Sequence, residues 1–239
     1  MTGRQLCIVE VLPTLLGTYG DRGNGLVLRH RAELRGYDAS VVTVSPGDGI
    51  PRDGDLYLVG GGEDDAQMRA LELMRADGGI QAAVDAGKPV LAICAGLQLL
   101  GTSFTARGGA SAPGQGIVDN ATAPANPRSV GEVVAIPDPE LGLPVLLGFE
   151  NHQGHTTRGP GVRPLARVVM GNGNGDGTEG FISGRIIGTY LHGPALARNP
   201  ALADLLLQWA TGDDQRPLDD SEIDALRAER MRFVGYSRS

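Results

Sequence analysis

Residues 88–101, KPVLAICAGLQLLG, decide the fold of this chain. The continuous apolar run over 89–93 predicts a parallel strand that is buried on both faces of a sheet. A one-residue corner at Cys94 follows it, and the pattern then predicts a short helix over 95–100. A strand that turns directly into a helix places the corner residue at the carboxyl edge of the sheet.

The residues beside this corner are small. Ala92 and Gly96 stand two positions before and after Cys94, which is the spacing of a nucleophile elbow with cysteine in the place of serine. The helix that follows directs its N–H groups and dipole towards the sulfur, and this favours the thiolate. The alternative is a buried structural cysteine, and the corner alone does not exclude it.

The remaining pattern predicts an α/β protein with a mainly parallel central sheet, helices on both faces and a mixed or antiparallel extension. The first half gives strands over 5–12, 39–44 and 55–59, and helices over 26–35 and 65–86, the second broken at 78–79. The second half gives shorter strands over 116–118, 130–136, 145–149, 165–169, 180–183 and 185–190. Helices are predicted over 199–211 and 219–234. We expect one domain over 1–239, with 213–239 as a charged, helical C-terminal segment.

Composition excludes several classes of function. The net charge of −7 argues against a nucleic-acid surface and a polybasic membrane anchor. No apolar run is long enough to span a bilayer, and the N-terminus lacks a signal-peptide pattern, so we expect a cytoplasmic protein. The two cysteines fit no zinc spacing.

Four histidines are available as a base for the cysteine. His30 falls within a charged helix, where a solvated face is expected. His152 and His155 lie in a polar stretch, 150–156, that we interpret as a loop, and metal ligation is the alternative there. His192 ends a predicted strand, so it would emerge at the same sheet edge as Cys94. His192 is therefore the preferred base, with a loop-lining histidine as the alternative.

The triple glycine at 60–62 ends another strand at this edge. Glycine lets a backbone N–H approach a substrate oxygen closely. We predict one oxyanion donor at Gly61 or Gly62 and the other at the N–H of Ala95, the residue after the nucleophile. A plain strand-ending turn is the alternative for the glycines.

These residues resemble a known family. LAICAGLQLLG (91–101) is similar to the nucleophile motif of class I glutamine amidotransferases, and YLHGP (190–194) resembles their cobyric-acid-synthase-like branch. Four more stretches resemble the small amidotransferase subunits of lipid II isoglutaminyl synthases: YGDRGN (19–24), VGGGEDDAQ (59–67), GFENHQG (148–154) and DGTEGF (176–181). The resemblance covers nearly the whole chain.

The resemblance implies a flavodoxin-like fold and hydrolysis of L-glutamine to glutamate and ammonia. It also implies a heterodimer with a Mur-ligase-like subunit, which uses ATP and Mg²⁺ to amidate the D-glutamate α-carboxylate of lipid II. No cofactor or metal is expected in this chain. Cys94 would be the nucleophile and His192 the general acid/base. Arg128 would bind the substrate α-carboxylate, with a surface arginine as the alternative, and Gln98 would also belong to the substrate site.

One position departs from the family. Most class I amidotransferases carry a carboxylate two residues after the histidine, and Pro194 stands there. The third member of a triad is then absent or supplied from elsewhere, with Glu150, Asp176 and Glu179 as candidates. A Cys–His dyad can suffice, because a thiol is already nucleophilic near neutral pH. We hypothesise that the chain alone is weakly active and that the partner completes the alignment.

Three other functions remain open. A γ-glutamyl hydrolase or a cysteine peptidase would use a similar fold and act alone. A non-catalytic binding subunit would keep the fold without the chemistry. An amidotransferase for a cobyric-acid-type acceptor would keep the chemistry, but such enzymes are usually fused to a synthetase, and no phosphate-loop motif is present here.

Overall fold

The computed structural model of the protein describes residues 3–105 and 110–236. The strands are β1 (Gln5–Val11), β2 (Asp38–Val44), β3 (Leu56–Val59), β4 (Val90–Ile93), β5 (Ser103–Thr105), β6 (Ser111–Pro113), β7 (Asn120–Pro137), β8 (Leu146–Arg158), β9 (Ala166–Met170), β10 (Thr178–Glu179), β11 (Phe181–Ser183) and β12 (Ile186–Thr189). The helices are α1 (Gly23–Leu34), α2 (Asp64–Asp77), α3 (Gly79–Asp85), α4 (Ala95–Leu100), α5 (Ala195–Arg198), α6 (Pro200–Thr211) and α7 (Ser221–Phe233).

The central sheet has the strand order β11-β12-β4-β3-β1-β2. All neighbours in it are parallel except β11, which pairs antiparallel with β12 at one edge. Every residue of β3, β4 and β12 is buried, as expected for strands covered on both faces. The carboxyl ends of these three strands therefore meet at one edge.

The direction in which the chain moves along the sheet determines the face on which each helix lies. The path from β1 to β2 moves one way along the sheet, and the path from β3 to β4 moves the other way. Since such crossovers are right-handed, α1 lies on one face and the α2–α3 pair on the opposite face. Gly78 divides α2 from α3 in a left-handed conformation (φ 71°), which agrees with the predicted break.

A second sheet of order β10-β9-β7-β5-β6, with β8 paired to β7, forms the mixed extension. It joins the central sheet at the edge where the carboxyl ends of β3, β4 and β12 meet. The connection is made by reciprocal backbone hydrogen bonds between Phe149 and His192, of 3.2 and 2.8 Å. Two prolines inside β7, Pro124 and Pro127, are accommodated by a break in the β7–β8 register between Pro124 and Ser129.

Two local predictions are wrong. Residues 116–118 are not a strand, because Gly116 has φ 71° and the N–H groups of Ile117 and Val118 both donate to Leu100 at the end of α4. Residues 150–156 are not a loop, because they lie within β8. Buried and exposed positions alternate in this segment, as in other strands. Its buried positions carry polar side chains that form hydrogen bonds, so the sequence shows no alternation of hydrophobic residues.

Ion pairs of a buried arginine join the C-terminal helices to α1. The guanidinium of Arg31 contacts Asp204 of α6 at 2.7 Å and Asp220, which precedes α7, at 2.6 Å. Both contacts raise the pKa of Arg31 against the effect of burial. In the described residues, no helix is long and apolar enough to cross a membrane.

Candidate active site

Cys94 lies at a strained corner between β4 and α4. Its backbone has φ 51° and ψ −104°, outside the regions that non-glycine residues usually adopt. Its N–H donates to Thr189 of β12 at 2.8 Å, and the N–H of Gly96 donates to Gly60 at 3.1 Å. A Cβ at position 96 would lie 2.3 Å from the carbonyl oxygen of Val59, so only glycine fits there without displacement. The small residue predicted after the nucleophile thus allows α4 to start directly against β3.

His192 is held in place by a carboxylate from the loop before α1. Its Nδ1 lies 3.1 Å from Oδ1 of Asp21, and both side chains are 1% exposed. The second oxygen of Asp21, Oδ2, accepts the N–H of Gly61 at 2.8 Å. Asp21 therefore links the histidine to the glycine segment that ends β3.

The three carboxylates that the sequence offered as third members bind elsewhere. Glu150 contacts His152 at 3.2 Å, Asp176 binds Arg158 at 3.0 Å, and Glu179 accepts the hydroxyl of Thr189 at 2.5 Å. That prediction is wrong, because the oxygen beside the His192 ring belongs to Asp21. The residue lies within the quoted YGDRGN stretch, but nothing in its local pattern marks it as the partner of a histidine 171 positions later.

The electrostatics of His192 favour its charged form. Burial alone would lower the pKa of this histidine, but the hydrogen bond to Asp21 and the neighbouring Cys94 sulfur raise the pKa to about 10. Nε2 is buried and has no hydrogen-bond partner among residues 3–105 and 110–236. The ring is thus held through Nδ1, and Nε2 remains available to exchange a proton.

Gly61 is the point on which this cluster converges. A Cβ added there would lie 2.9 Å from Cε1 of His192, 3.0 Å from Oδ2 of Asp21 and 3.5 Å from Cβ of Cys94. The absence of a side chain at Gly61 is therefore what allows the acid, the histidine and the cysteine to approach one another.

The predicted oxyanion donors have different environments. The N–H of Gly61 already donates to Asp21, so Gly62 is the one of the two predicted alternatives whose N–H is left for a substrate oxygen. The N–H groups of Gly62 and Ala95 make no hydrogen bond within the described part of the chain. Gly62 and Ala95 are therefore the two predicted donors that are left for a substrate oxygen.

A polar cleft opens beside the sulfur. Its lining residues are Glu63, Cys94, Gln98, Thr105, Thr122, Ala123, Arg128, Asn151, His152, Gln153 and Gly154. Arg128 is fixed on one wall by donating to Oδ1 of Asn151 at 2.5 Å and to its carbonyl oxygen at 3.3 Å. The structure thus brings the two predicted substrate residues, Arg128 and Gln98, into one cleft with Cys94.

Gln98 belongs to a hydrogen-bonded network beneath this cleft. Its amide accepts from Gln67 at 2.9 Å and donates to the hydroxyl of Tyr190 at 3.3 Å. His152 stacks on the ring of Tyr190 with 3.8 Å between ring centroids. His152 was not among the predicted site residues, because the polar stretch 150–156 was interpreted as a loop.

Glu150 anchors the far end of this network. Burial raises its pKa, but hydrogen bonds from His152 and from the N–H groups of Gly173 and Asn172 outweigh burial and lower the pKa below its ordinary value. The same histidine was considered as a metal ligand. Within the described ranges, no group of three or more His, Cys, Asp or Glu side chains could hold a metal ion.

Residues 8–200 match the CobB/CobQ-like glutamine amidotransferase domain. The chain belongs to this family. The resemblance of its sequence motifs to glutamine amidotransferases is thereby confirmed.

Two relatives within the glutamine amidotransferases match most of the chain. The subunit GatD of a glutamine-hydrolysing lipid II isoglutaminyl synthase from Staphylococcus aureus (strain N315) is 35% identical over 224 residues, which are 92% of this chain and 90% of the relative. GatD from Streptococcus pneumoniae (strain ATCC BAA-255 / R6) is 36% identical over 211 residues, 86% and 80% of the two chains. A cobyric acid synthase from Deinococcus radiodurans is 35% identical over 163 residues, which are only 31% of its length.

Solved structures of glutamine amidotransferases share the fold. One superposes with a TM-score of 0.59 at 21% identity, over 84% of this chain and 98% of the other. A second, from Thermotoga maritima, has a TM-score of 0.53 at 16% identity and covers 98% of this chain and 99% of its own. The predicted α/β fold of a class I glutamine amidotransferase is confirmed.

Proposed function

We propose that this chain is the glutamine-hydrolysing subunit of a lipid II isoglutaminyl synthase. The observation that carries the proposal is the buried Asp21–His192 pair beside Cys94, which itself lines a cleft that also contains Arg128. The 35% and 36% identity to two GatD subunits, over most of both chains, supports this acceptor over others. A cobyric-acid-type acceptor has less support, because those relatives are much longer proteins.

The proposed reaction is acyl transfer through a thioester. The Cys94 thiolate attacks the side-chain carbonyl carbon of glutamine, and the oxygen that becomes negative accepts the N–H groups of Gly62 and Ala95. Nε2 of His192 donates its proton to the leaving nitrogen, and ammonia departs. His192 then takes a proton from water, which attacks the thioester and releases glutamate and the free thiolate.

Asp21 would keep the ring of His192 in the orientation that both steps need. Its hydrogen bond to Nδ1 leaves Nε2 as the proton-transferring atom in acylation and in hydrolysis. Because this carboxylate comes from the chain itself, the chain alone should hydrolyse glutamine at a measurable rate. Comparison of the rates with and without the partner would test the hypothesis that the chain alone is weakly active and that the partner completes the alignment.

The ammonia would pass to an ATP-dependent, Mur-ligase-like partner. In the proposed heterodimer that partner binds ATP and Mg²⁺ and activates the D-glutamate α-carboxylate of the lipid II stem peptide, while this chain needs no cofactor of its own. The complex would work at the cytoplasmic face of the membrane, where the partner meets its lipid-linked substrate.

The chain has two cysteines, so replacement of Cys94 tests the proposal and replacement of Cys7 serves as the control. Glutamate release from L-glutamine would be measured for the wild-type chain, Cys94→Ser and the control Cys7→Ser, each alone and with the partner. We expect Cys94→Ser to retain less than about one thousandth of the wild-type rate, and Cys7→Ser to retain it. Equal rates in wild type and Cys94→Ser would contradict the assignment.

A further inference from the structure

Tyr19 covers the candidate active site in an unusual backbone conformation. It has φ 60° and ψ 24°, a left-handed conformation that a tyrosine rarely adopts. Its ring packs edge-on against His192 with 4.9 Å between ring centroids. The side chain is 39% exposed, so it lies between the buried histidine and solvent.

The hydroxyl of Tyr19 lies between two opposite charges. It accepts from Nη2 of Arg128 at 3.5 Å and donates to Oε1 of Glu63 at 3.5 Å. Both contacts are at the long limit for a hydrogen bond, so each is weak and easily exchanged for a better partner. The hydroxyl thus presents an acceptor to the cation and a donor to the carboxylate.

Glu63 is placed to bind a ligand. It is the residue that precedes α2, but its side chain makes no capping hydrogen bond to that helix. It lines the same cleft as Cys94 and Arg128. Among the lining residues that the structure describes, Glu63 is the single carboxylate and Arg128 the single arginine or lysine. The described part of the lining therefore presents a negative and a positive side chain to a ligand.

The spacing of these two charges fits an α-amino acid. Since each lies 3.5 Å from the same hydroxyl oxygen, Oε1 of Glu63 and Nη2 of Arg128 are at most twice that distance, 7.0 Å, apart. In an amino acid the α-nitrogen and the carboxyl carbon are about 2.5 Å apart. Two charge-assisted hydrogen bonds of about 2.8 Å, one at each end, span such a gap without movement of the backbone.

We propose that Glu63 is a specificity-determining residue that binds the α-ammonium group of the substrate, while Arg128 binds its α-carboxylate. The Tyr19 hydroxyl occupies the position between them until the substrate enters. Fixing the α-carbon at two points, with the side-chain amide at Cys94 as a third, selects the L-amino acid. This inference rests on the proposed glutaminase function and adds how the substrate is recognised.

The test compares L-glutamine with 4-carbamoylbutanoate, which is glutamine without its α-amino group. Ammonia release by the chain would give kcat/KM for both compounds in the wild type, Glu63→Gln and the control Glu72→Gln. Glu72 is an exposed glutamate within α2, close to Glu63 in sequence, but it pairs with Arg69 and does not line the cleft. Circular dichroism and thermal melting would establish that all three proteins are folded.

We expect Glu63→Gln to lower kcat/KM for L-glutamine about tenfold, mainly through KM, because it removes one charge-assisted contact at a partly exposed site. The value for 4-carbamoylbutanoate should change by less than about twofold, and Glu72→Gln should alter neither. An equal loss on both compounds, or no loss on glutamine, would overturn the proposal. Hydrolysis of neither compound by the wild type would instead remove the glutaminase function on which it rests.

Removal of the Tyr19 hydroxyl provides a second test. Tyr19→Phe keeps the ring against His192 and frees both charges from their weak contacts, so KM for L-glutamine should fall about two- to threefold. A higher KM would mean that the hydroxyl itself binds the substrate, which contradicts its assignment as an occupant that leaves.

Discussion

Asp21→Asn is the substitution that most directly tests the proposed mechanism. Both carboxylate oxygens of Asp21 act as acceptors, one from Nδ1 of His192 and one from the N–H of Gly61. An asparagine offers one acceptor oxygen and one NH₂ donor, so it cannot accept from both. Whichever way the amide turns, one of the two hydrogen bonds is lost, and the negative charge is lost in either case.

The structure sets the scale of the effect. The pKa of His192 is raised from 6.5 to about 10, a difference of about 3.5, which corresponds to about 5 kcal/mol of net preference for the imidazolium form. Asp21 and Cys94 supply that preference against burial, so the neutral asparagine removes only a part of it. Loss of a hydrogen bond to a charged group costs about 1.5–3 kcal/mol, which predicts a decrease in kcat/KM of about 10- to 150-fold.

The pH dependence separates this mechanism from simple misfolding. The proposed acylation step needs the protonated ring to deliver a proton to the leaving amide nitrogen, so activity is lost as the pH rises through the pKa of His192. Because Asp21→Asn lowers that pKa, the alkaline limb of the kcat/KM profile should move to lower pH by at least about one unit. Glutamate formed in quenched samples between pH 6 and 10.5 would give the profile.

Asp176→Asn is the matched control for this experiment. Asp176 is also an aspartate with hydrogen-bond partners, Arg158 and Thr178, and was itself a candidate for the third member of the triad. We expect the Asp176→Asn profile to follow the wild type. If Asp21→Asn kept the wild-type rate and alkaline limb, or if Asp176→Asn reproduced its loss, the role given to Asp21 would be refuted.

Two further predictions concern stability. Burial raises the pKa of Glu179 to about 7 from 4.5, so the folded state holds its proton more tightly and stability falls by about 3 kcal/mol as the pH rises between these values. Glu179→Gln should abolish this loss in urea unfolding at pH 4.5 and 8, and an unchanged pH dependence would contradict it. Gly96→Ala should destabilise the protein by about 1–3 kcal/mol, because its Cβ would lie 2.3 Å from a carbonyl oxygen of β3. Gly131→Ala, where a Cβ would meet no atom within 4 Å, should be nearly neutral, and equal losses for the two variants would refute the reasoning.

The elements predicted best from the sequence are those whose signals all lie within a short stretch of the chain. The β4–Cys94–α4 unit lies within a residue of its predicted bounds, because an apolar run, a corner and small neighbours are all visible within fourteen residues. The wrong predictions concern residues whose hydrogen-bond partners are distant in sequence, or strand positions that are buried but polar. The first part of β8 was predicted as a strand over 145–149, but its continuation over 150–156 was interpreted as a loop, because Glu150, His152 and Thr156 bind polar partners instead of facing an apolar core.

The third member of the candidate triad shows why such partners are hard to infer from one sequence. A search two residues after His192 assumes that the carboxylate must come from the same strand end, but the chemistry requires only an acceptor near Nδ1. Here the end of β12 meets the loop before α1 across the carboxyl edge of the sheet, and that loop presents Asp21 to the same ring nitrogen. The side-chain-free position at Gly61 is what allows this approach, since a Cβ there would lie 3.0 Å or less from both His192 and Asp21. The glycine predicted as an oxyanion donor thus has a different use: it leaves space for the acid and donates its N–H to that acid's second oxygen.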